Sequence, residues 1–344
     1  MTKSKKKNQA RPPPGPRNSD NHPSNHQSKP AKKATQISCA CSEYCHALCN
    51  PFEAKPTGLP TFPVLPSAKY RVFARGTAYT GTAGVGFISL DPRATAANDQ
   101  HAIRYTSASY AGTTIVDGTN PGVSTAVTNA PYTSAQIDPD IVQYRVVGCG
   151  LRVRFGGTEL NRGGFKIAFV DPTHRSVETR DEASLLSEPQ AKKLSVTRNW
   201  TNLLYRPVLN SDLSFSSDTT PDAPYMAVML VSPDTSIAEL FEWEVYSLLE
   251  YQGANVRGQT HTNADPVGFA AVSAVANQTN GVMQGNSTGH VNQMMKAVHH
   301  YLGNGISGVV DVAQTIPKVA NTAMTAMDIF EDVLEIGLPL LALL

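Results

Sequence analysis

Four cysteines crowd together at Cys39, Cys41, Cys45 and Cys49, with His46 among them, while Cys149 stands alone. A C-x-C-x3-C-x3-C run beside a histidine invites a zinc site, but zinc fingers pair two C-x2-C knuckles. Cys41, Cys45 and Cys49 are four residues apart, so on a helix they share one face, where thiols serve as small apolar packing groups. The spacing favours packing, and disulfides are not expected in a reducing compartment. Asp138-Pro139-Asp140 offers two carboxylates at the start of a predicted strand. Such a pair suits the hard-oxygen preference of Ca2+, or forms a solvated acidic turn; Asp212, Asp218 and Asp222 are weaker candidates. No other cofactor is implied. Of the nine histidines, only His101 and His174 fall inside the strand-rich region described below, so the ligand cluster of a metalloenzyme on a β frame does not form. Serine-nucleophile and phosphate-loop motifs are missing as well, and catalysis is not expected.

Charge is the second chemical signal. Met1–Gln36 carries nine basic residues (Lys3, Lys5, Lys6, Lys7, Arg11, Arg17, Lys29, Lys32 and Lys33) against Asp20, a net +8, while the rest of the 344-residue chain carries −7. This leader has almost no aliphatic residues and is dominated by Pro, Ser, Asn, Gln and Lys, a composition that does not fold alone. Its natural partner is a polyanion, because each phosphate that it neutralises releases condensed counterions. It holds no aromatic residue, so its contact is with phosphate and its sequence preference weak. A solubilising tail or a localisation signal is the alternative. The leader is not a secretory signal, since it lacks an apolar core segment, and the chain reads as cytosolic.

The elements that must carry these residues follow from periodicity. Ile37–Asn50 reads as a short helix and 51–68 as a Pro-rich connector, because proline fixes φ and removes a donor. From Lys69 to about Gly253 the period is two. Lys69–Ala78, Val85–Leu90, Tyr144–Phe155, the strand of Phe165, Ile167 and Phe169, Trp200–Tyr205, Tyr225–Val231 and Leu240–Tyr251 read as strands. In Tyr144–Phe155 one face carries Arg145, Val147, Cys149, Leu151, Val153 and Phe155, and the other Tyr144, Val146, Gly148, Gly150, Arg152 and Arg154. Recurrent strands with turn residues between them indicate an all-β antiparallel sandwich or jelly roll. The long loops Asp91–Ala102, Asp117–Asp138 and Thr173–Thr197 are places for contacts with other molecules. Residues 254–290 read as a polar linker with one short helix after Asp265-Pro266, and 291–344 as helical. In the last stretch Ala323, Met327, Phe330, Leu334, Leu338 and Leu341 share one face.

Taken in order, these blocks resemble the coat proteins of nodaviruses and the wider tombus-like group. Ala47-Leu48-Cys49-Asn50-Pro51-Phe52 before a Pro-rich connector is similar to the lead-in to their shell domain. So are Tyr144 through Val153 running on to Gly157-Thr158-Glu159-Leu160-Asn161-Arg162-Gly163-Gly164, the turn Asp171-Pro172-Thr173-His174, Trp200 through Arg206-Pro207, and Phe241-Glu242-Trp243-Glu244 through Glu250-Tyr251. The resemblance covers about Leu48 to Gly253. It implies an eight-stranded jelly-roll shell domain with a disordered basic arm and a helical C-terminal tail, in a coat protein that forms a non-enveloped icosahedral shell. No β-sandwich protrusion is expected after Gly253.

The implied partners are further copies of the chain, viral single-stranded RNA held by the leader, and a host membrane breached by the C-terminal helix; the receptor is unknown. The setting is the virion, with the host cytoplasm during assembly. Ca2+ between subunits at Asp138 and Asp140 follows from the same resemblance. The C-terminal helix fits a lytic peptide in position and amphipathicity, although its polar face is acidic where interfacial helices favour basic ones; the alternative is a helix packed under the shell. In nodaviruses such a peptide is freed when an asparagine side chain attacks its own carbonyl carbon, assisted by a buried carboxyl. Asn263-Ala264 is the matching dipeptide here. Arg152 and Arg154 face RNA or make salt bridges between subunits, the latter favoured. The rival reading is a cellular RNA-binding β protein with a basic arm, which would present aromatic residues on a sheet face.

Overall fold

The computed structural model describes residues 37–61, 66–218, 224–278, 281–284 and 289–302. The basic leader and residues 303–344 lie outside them.

Helix α1 (Cys39–Cys49) begins where Ser38, in extended conformation, turns its hydroxyl to the Cys41 N–H, an N-cap bond of 3.1 Å. It ends at Asn50, because Pro51 cannot extend it. Strands β1 (Ala68–Tyr79), β2 (Val85–Leu90), β3 (Ile103–Thr106), β4 (Val123–Ala126), β5 (Gln143–Phe155), β6 (Phe165–Val170), β7 (Lys192–Ser195), β8 (Thr201–Leu204), β9 (Met226–Val231), β10 (Leu240–Gln252) and β11 (Val282–Gln284) form two sheets. One runs β1-β10-β5-β8-β11 and the other β4-β3-β2-β9-β6-β7, with every pairing antiparallel. The protein is therefore mainly β, as its periodicity indicates. Eleven strands form among the described residues where eight were expected. The additional strands are short: β3 and β4 span four residues each and β11 spans three. None has the alternation that betrays a strand.

The core lies between the sheets. Trp243, Val245, Leu249 and Tyr251 of β10 and Cys149, Leu151, Val153 and Phe155 of β5 meet Ile88, Leu90, Val228 and Leu230 of the facing sheet. Each fully buried side chain of this size contributes about 1.5–3 kcal/mol. The alternation in β5 departs from the sequence reading at one point. Leu248 pairs with Gly148 but Leu249 with Val146, so Val147 is an extra residue, a β-bulge. Tyr144 and Val146 therefore point into the same core as Cys149 and Leu151, while Val147 points to the opposite side.

Both outer faces carry a second layer. On the first sheet, Val147 and Leu248 pack under α1, under α4 (Pro266–Asn277) and under α5 (residues 289–302), against Tyr44, Leu48, Phe269, Val272 and Val298. Residues 254–290 are thus more than a polar linker: Phe269, Ala271, Val272, Val275 and Ala276 of α4 are buried, and β11 joins the first sheet. On the second sheet, Tyr110, Ile115, Val177 and Leu185 cover Phe87, Phe169 and Met229. Leu185 sits on α2 (Glu182–Leu186), and the one-turn α3 (Asn210–Leu213) carries Asp212. Part of the long connections is spent on the chain's own sheet.

Candidate functional site

The first sheet turns a charged ladder outward beyond the helices. Antiparallel register sets Arg152 of β5 opposite Glu244 of β10, and Arg154 opposite Glu242. Arg152 Nε donates to Glu244 Oε2 at 2.7 Å and Arg154 Nε to Glu242 Oε2 at 2.7 Å. Trp200, just before β8, completes both rows, with the guanidinium carbons of Arg152 and Arg154 at 4.6 and 4.4 Å from its ring. These arginines are therefore paired with carboxylates of their own chain. Cross-strand opposition is a nearer source of partners than a second copy.

The Pro-rich connector is held by Glu250, the one acid of β10 that is fully buried. Its carboxylate accepts from Arg145 Nε at 2.5 Å, Leu59 N at 3.1 Å and Ser67 Oγ at 2.7 Å. Arg145 also reaches the Leu213 carbonyl and lies over the Phe215 ring. The functional weight of Arg145 and Glu250 is the route of the connector across the sheet, a role that strand alternation alone does not reveal.

Cys41, Cys45 and Cys49 occupy the buried face of α1, as their spacing implies, while Cys39 is exposed. Burial pushes the Cys41 thiol up to about 12, so that it packs on this face as a neutral, weakly polar group. Asp138 and Asp140 sit on one tight turn, where Asp138 Oδ1 accepts from the Asp140 N–H at 3.0 Å. Asp212 is buried and closes its own loop by accepting from Val208 N at 2.9 Å and Leu209 N at 2.8 Å. Its Oδ2 lies 3.6 Å from His174 Nδ1, whose ring stacks on Tyr225 at 4.1 Å. Asp218 makes an ordinary turn contact, its N–H donating to Ser216 Oγ, and Asp222 lies outside the described residues. Among the described residues no group of three or more His, Cys, Asp or Glu side chains is placed to hold a metal ion.

Asn263 and Ala264 are both exposed, immediately before the Asp265 carboxylate that caps α4. Burial favours the neutral form of Asp265, but hydrogen bonds from Ser38 and Gly268 outweigh it and hold the carboxyl below its ordinary value. The nine basic residues of the leader and the stripe Ala323, Met327, Phe330, Leu334, Leu338 and Leu341 lie outside the described residues. Among the described residues no helix is long and apolar enough to cross a membrane.

No protein family's sequence profile matches the chain, and no curated protein matches it. Solved structures that it is similar to include viral capsid proteins and virus particles. A decameric BFDV capsid protein shares 13% identity over 54% of this chain and 99% of its own, with a TM-score of 0.31. Infectious bursal virus derived T=1 particles share 8% identity over 73% and 95%, with a TM-score of 0.44. Infectious bursal disease virus Gx strain shares 9% over 76% and 99%, with a TM-score of 0.43. With likeness of this size, function is read from this chain's own residues.

Proposed function

We propose that the chain is the coat protein of a small non-enveloped RNA virus, which builds an icosahedral shell from many copies and draws single-stranded RNA inside with its +8 leader. The observation that carries this reading is the strand order. β1-β10-β5-β8 facing β2-β9-β6-β7 is the order of an eight-stranded jelly roll, with β3, β4 and β11 as additions. A jelly roll serves many functions, and two further features favour a shell. The leader binds polyanions through counterion release. Apolar side chains stand out on connections between strands: Leu160 is 94% exposed and Leu209 48%, as befits contacts between copies.

Within this reading, Asp138 and Asp140 are carboxylates for Ca2+ between copies, Asn263-Ala264 is the bond for a single maturation cut, and the stripe from Ala323 to Leu341 acts on a host membrane. The nodavirus-like and tombus-like assignment rests on the order of the sequence blocks.

The rival, a cellular RNA-binding β protein, gains from one observation. Trp200 and Phe73 lie on the outer face of the first sheet rather than in the core. Electron microscopy of the purified chain separates the two. Uniform icosahedral particles containing RNA support the coat protein, and their loss of RNA when Met1–Gln36 is deleted supports the leader's role. Soluble monomers at every salt concentration overturn the shell. A mass spectrum of particles tests the cut: a fragment beginning at Ala264 supports it and an intact chain overturns it.

A further inference from the structure

The helical layer on the first sheet stops partway. Beyond Phe52, which meets the Tyr246 ring edge-on at 6.0 Å, the face of β1, β10 and β5 is open to solvent. On β1, an edge strand, Arg71, Phe73 and Arg75 point outward in succession and are all exposed. Phe73 stacks on Tyr246 at 5.8 Å between ring centres with 25° between planes, and is still 41% exposed. Arg71 lies over the same Tyr246 ring at 4.5 Å. Arg75, opposite Glu244 in the register of β1 and β10, makes no side-chain hydrogen bond, ion pair or ring contact among the described residues. With Arg152 and Arg154, the face holds four arginines against Glu242 and Glu244, a net formal charge of +2 on a body that is acidic as a whole.

We propose that this open face binds single-stranded RNA as a second contact, independent of the leader. The proposal deepens the RNA-packaging reading and rests on it. Successive outward residues on a strand are about 6.6 Å apart, a step that an extended nucleic-acid strand can follow. Arg71 and Arg75 would then meet phosphates on either side of a base stacked on Phe73. Trp200, fixed between its two arginines, offers a second ring across the sheet. Stacking on aromatic rings within a cationic surface is the general way to hold a single strand without reading its sequence. Charge and ring together point to this occupant: a polyanion complements the net +2, and a base stacks on Phe73 without the apolar pocket that a protein partner would have to supply.

The test uses the full-length protein. Ultraviolet cross-linking to a short oligouridine, followed by peptide mass spectrometry, should mark peptides carrying Phe73, Tyr246 or Trp200 in addition to the leader. The F73A/R75A double variant should weaken oligouridine binding at least about fivefold and reduce the salt slope by about 0.7, with its thermal melt and particle formation retained. Should the pair fail to fold, R75Q alone, at a side chain without a partner, carries the salt-slope measurement, and the cross-link map needs no variant. Cross-links confined to Met1–Gln36 together with unchanged affinity overturn the proposal. So does a variant that binds RNA normally but no longer assembles, which would make this face a contact between copies. Particles without cross-links on the body sink this proposal alone. Absence of both particles and RNA binding in the unaltered chain sinks the packaging reading as well.

Discussion

Ser38 donates its backbone N–H to Asp265 Oδ2 at 3.0 Å, across 227 positions of sequence. The other carboxylate oxygen accepts from Gly268 N at 2.8 Å. One side chain therefore caps its own helix, α4, and holds the first turn of α1. Ser38 is the second described residue after the basic leader, so the start of the described chain and the dipeptide Asn263-Ala264 share this clasp.

Replacing the clasp should be measurable. Asp265→Ala loses an N-cap and a charge-assisted bond, and is expected to cost about 1–3 kcal/mol, read as a lower thermal midpoint. Because the folded carboxyl is held below its ordinary value, its contribution is present at neutral pH. It fades as pH falls below the ordinary carboxylate range and through the folded value. The difference between parent and variant should shrink in acid; a constant difference would count against the electrostatic part of the clasp.

Glu250 holds a buried ion pair, and breaking such a pair from one side strands the other charge. Glu250→Ala should cost about 3–5 kcal/mol in urea unfolding and free the connector near Leu59 to proteolysis. Glu250→Gln, whose amide oxygen still accepts from Leu59 N while its NH2 donates to the Ser67 hydroxyl, should cost less. Equal losses would mean that the charge contributes nothing.

Lys166 on β6 is fully buried and, among the described residues, donates only to Thr201 Oγ1 at 2.8 Å. Burial pushes its amine from 10.5 down to about 8. Between those values the unfolded chain holds a proton that the folded chain has shed. Stability should therefore rise with pH across that window, by at most about 3 kcal/mol, with the full penalty in force below pH 8. Lys166→Met should abolish this rise and stabilise the fold at pH 7, as a pair of melting curves at neutral and alkaline pH will show.

Leu160, almost wholly exposed on the β5–β6 connection, makes the shell reading testable at one residue. Leu160→Asp should leave the melting temperature of dissociated protein within about 0.5 kcal/mol equivalents and reduce particle yield. Unimpaired assembly would remove this loop from the contacts.

Much of this architecture can be read from residue order. The four-residue spacing of Cys41, Cys45 and Cys49 predicts a buried helix face, and Val85–Leu90 is a strand with the bounds that its apolar run suggests. Three things escape. The bulge at Val147 reverses the alternation of Tyr144 and Val146, because a pattern of period two carries no mark of an inserted residue. The glutamate partners of Arg152 and Arg154 are set by register between strands almost ninety residues apart in sequence, which composition does not encode. The burial of α4 escapes because its surface is Ala, Gly and Val around a single Phe269, small residues that read as linker until a neighbouring helix covers them.

The bulge in β5 has one more effect. Val147 turns its side chain to the outer face, where with Leu248 it packs under the helices. That apolar seat lies between two ion pairs of the same face, Arg145–Glu250 on one side and Arg152–Glu244 on the other. Deleting Val147 would leave both flanks in register, with Val146 still opposite Leu249 and Gly148 opposite Leu248, and would remove only the side chain that seats the helical layer on the sheet.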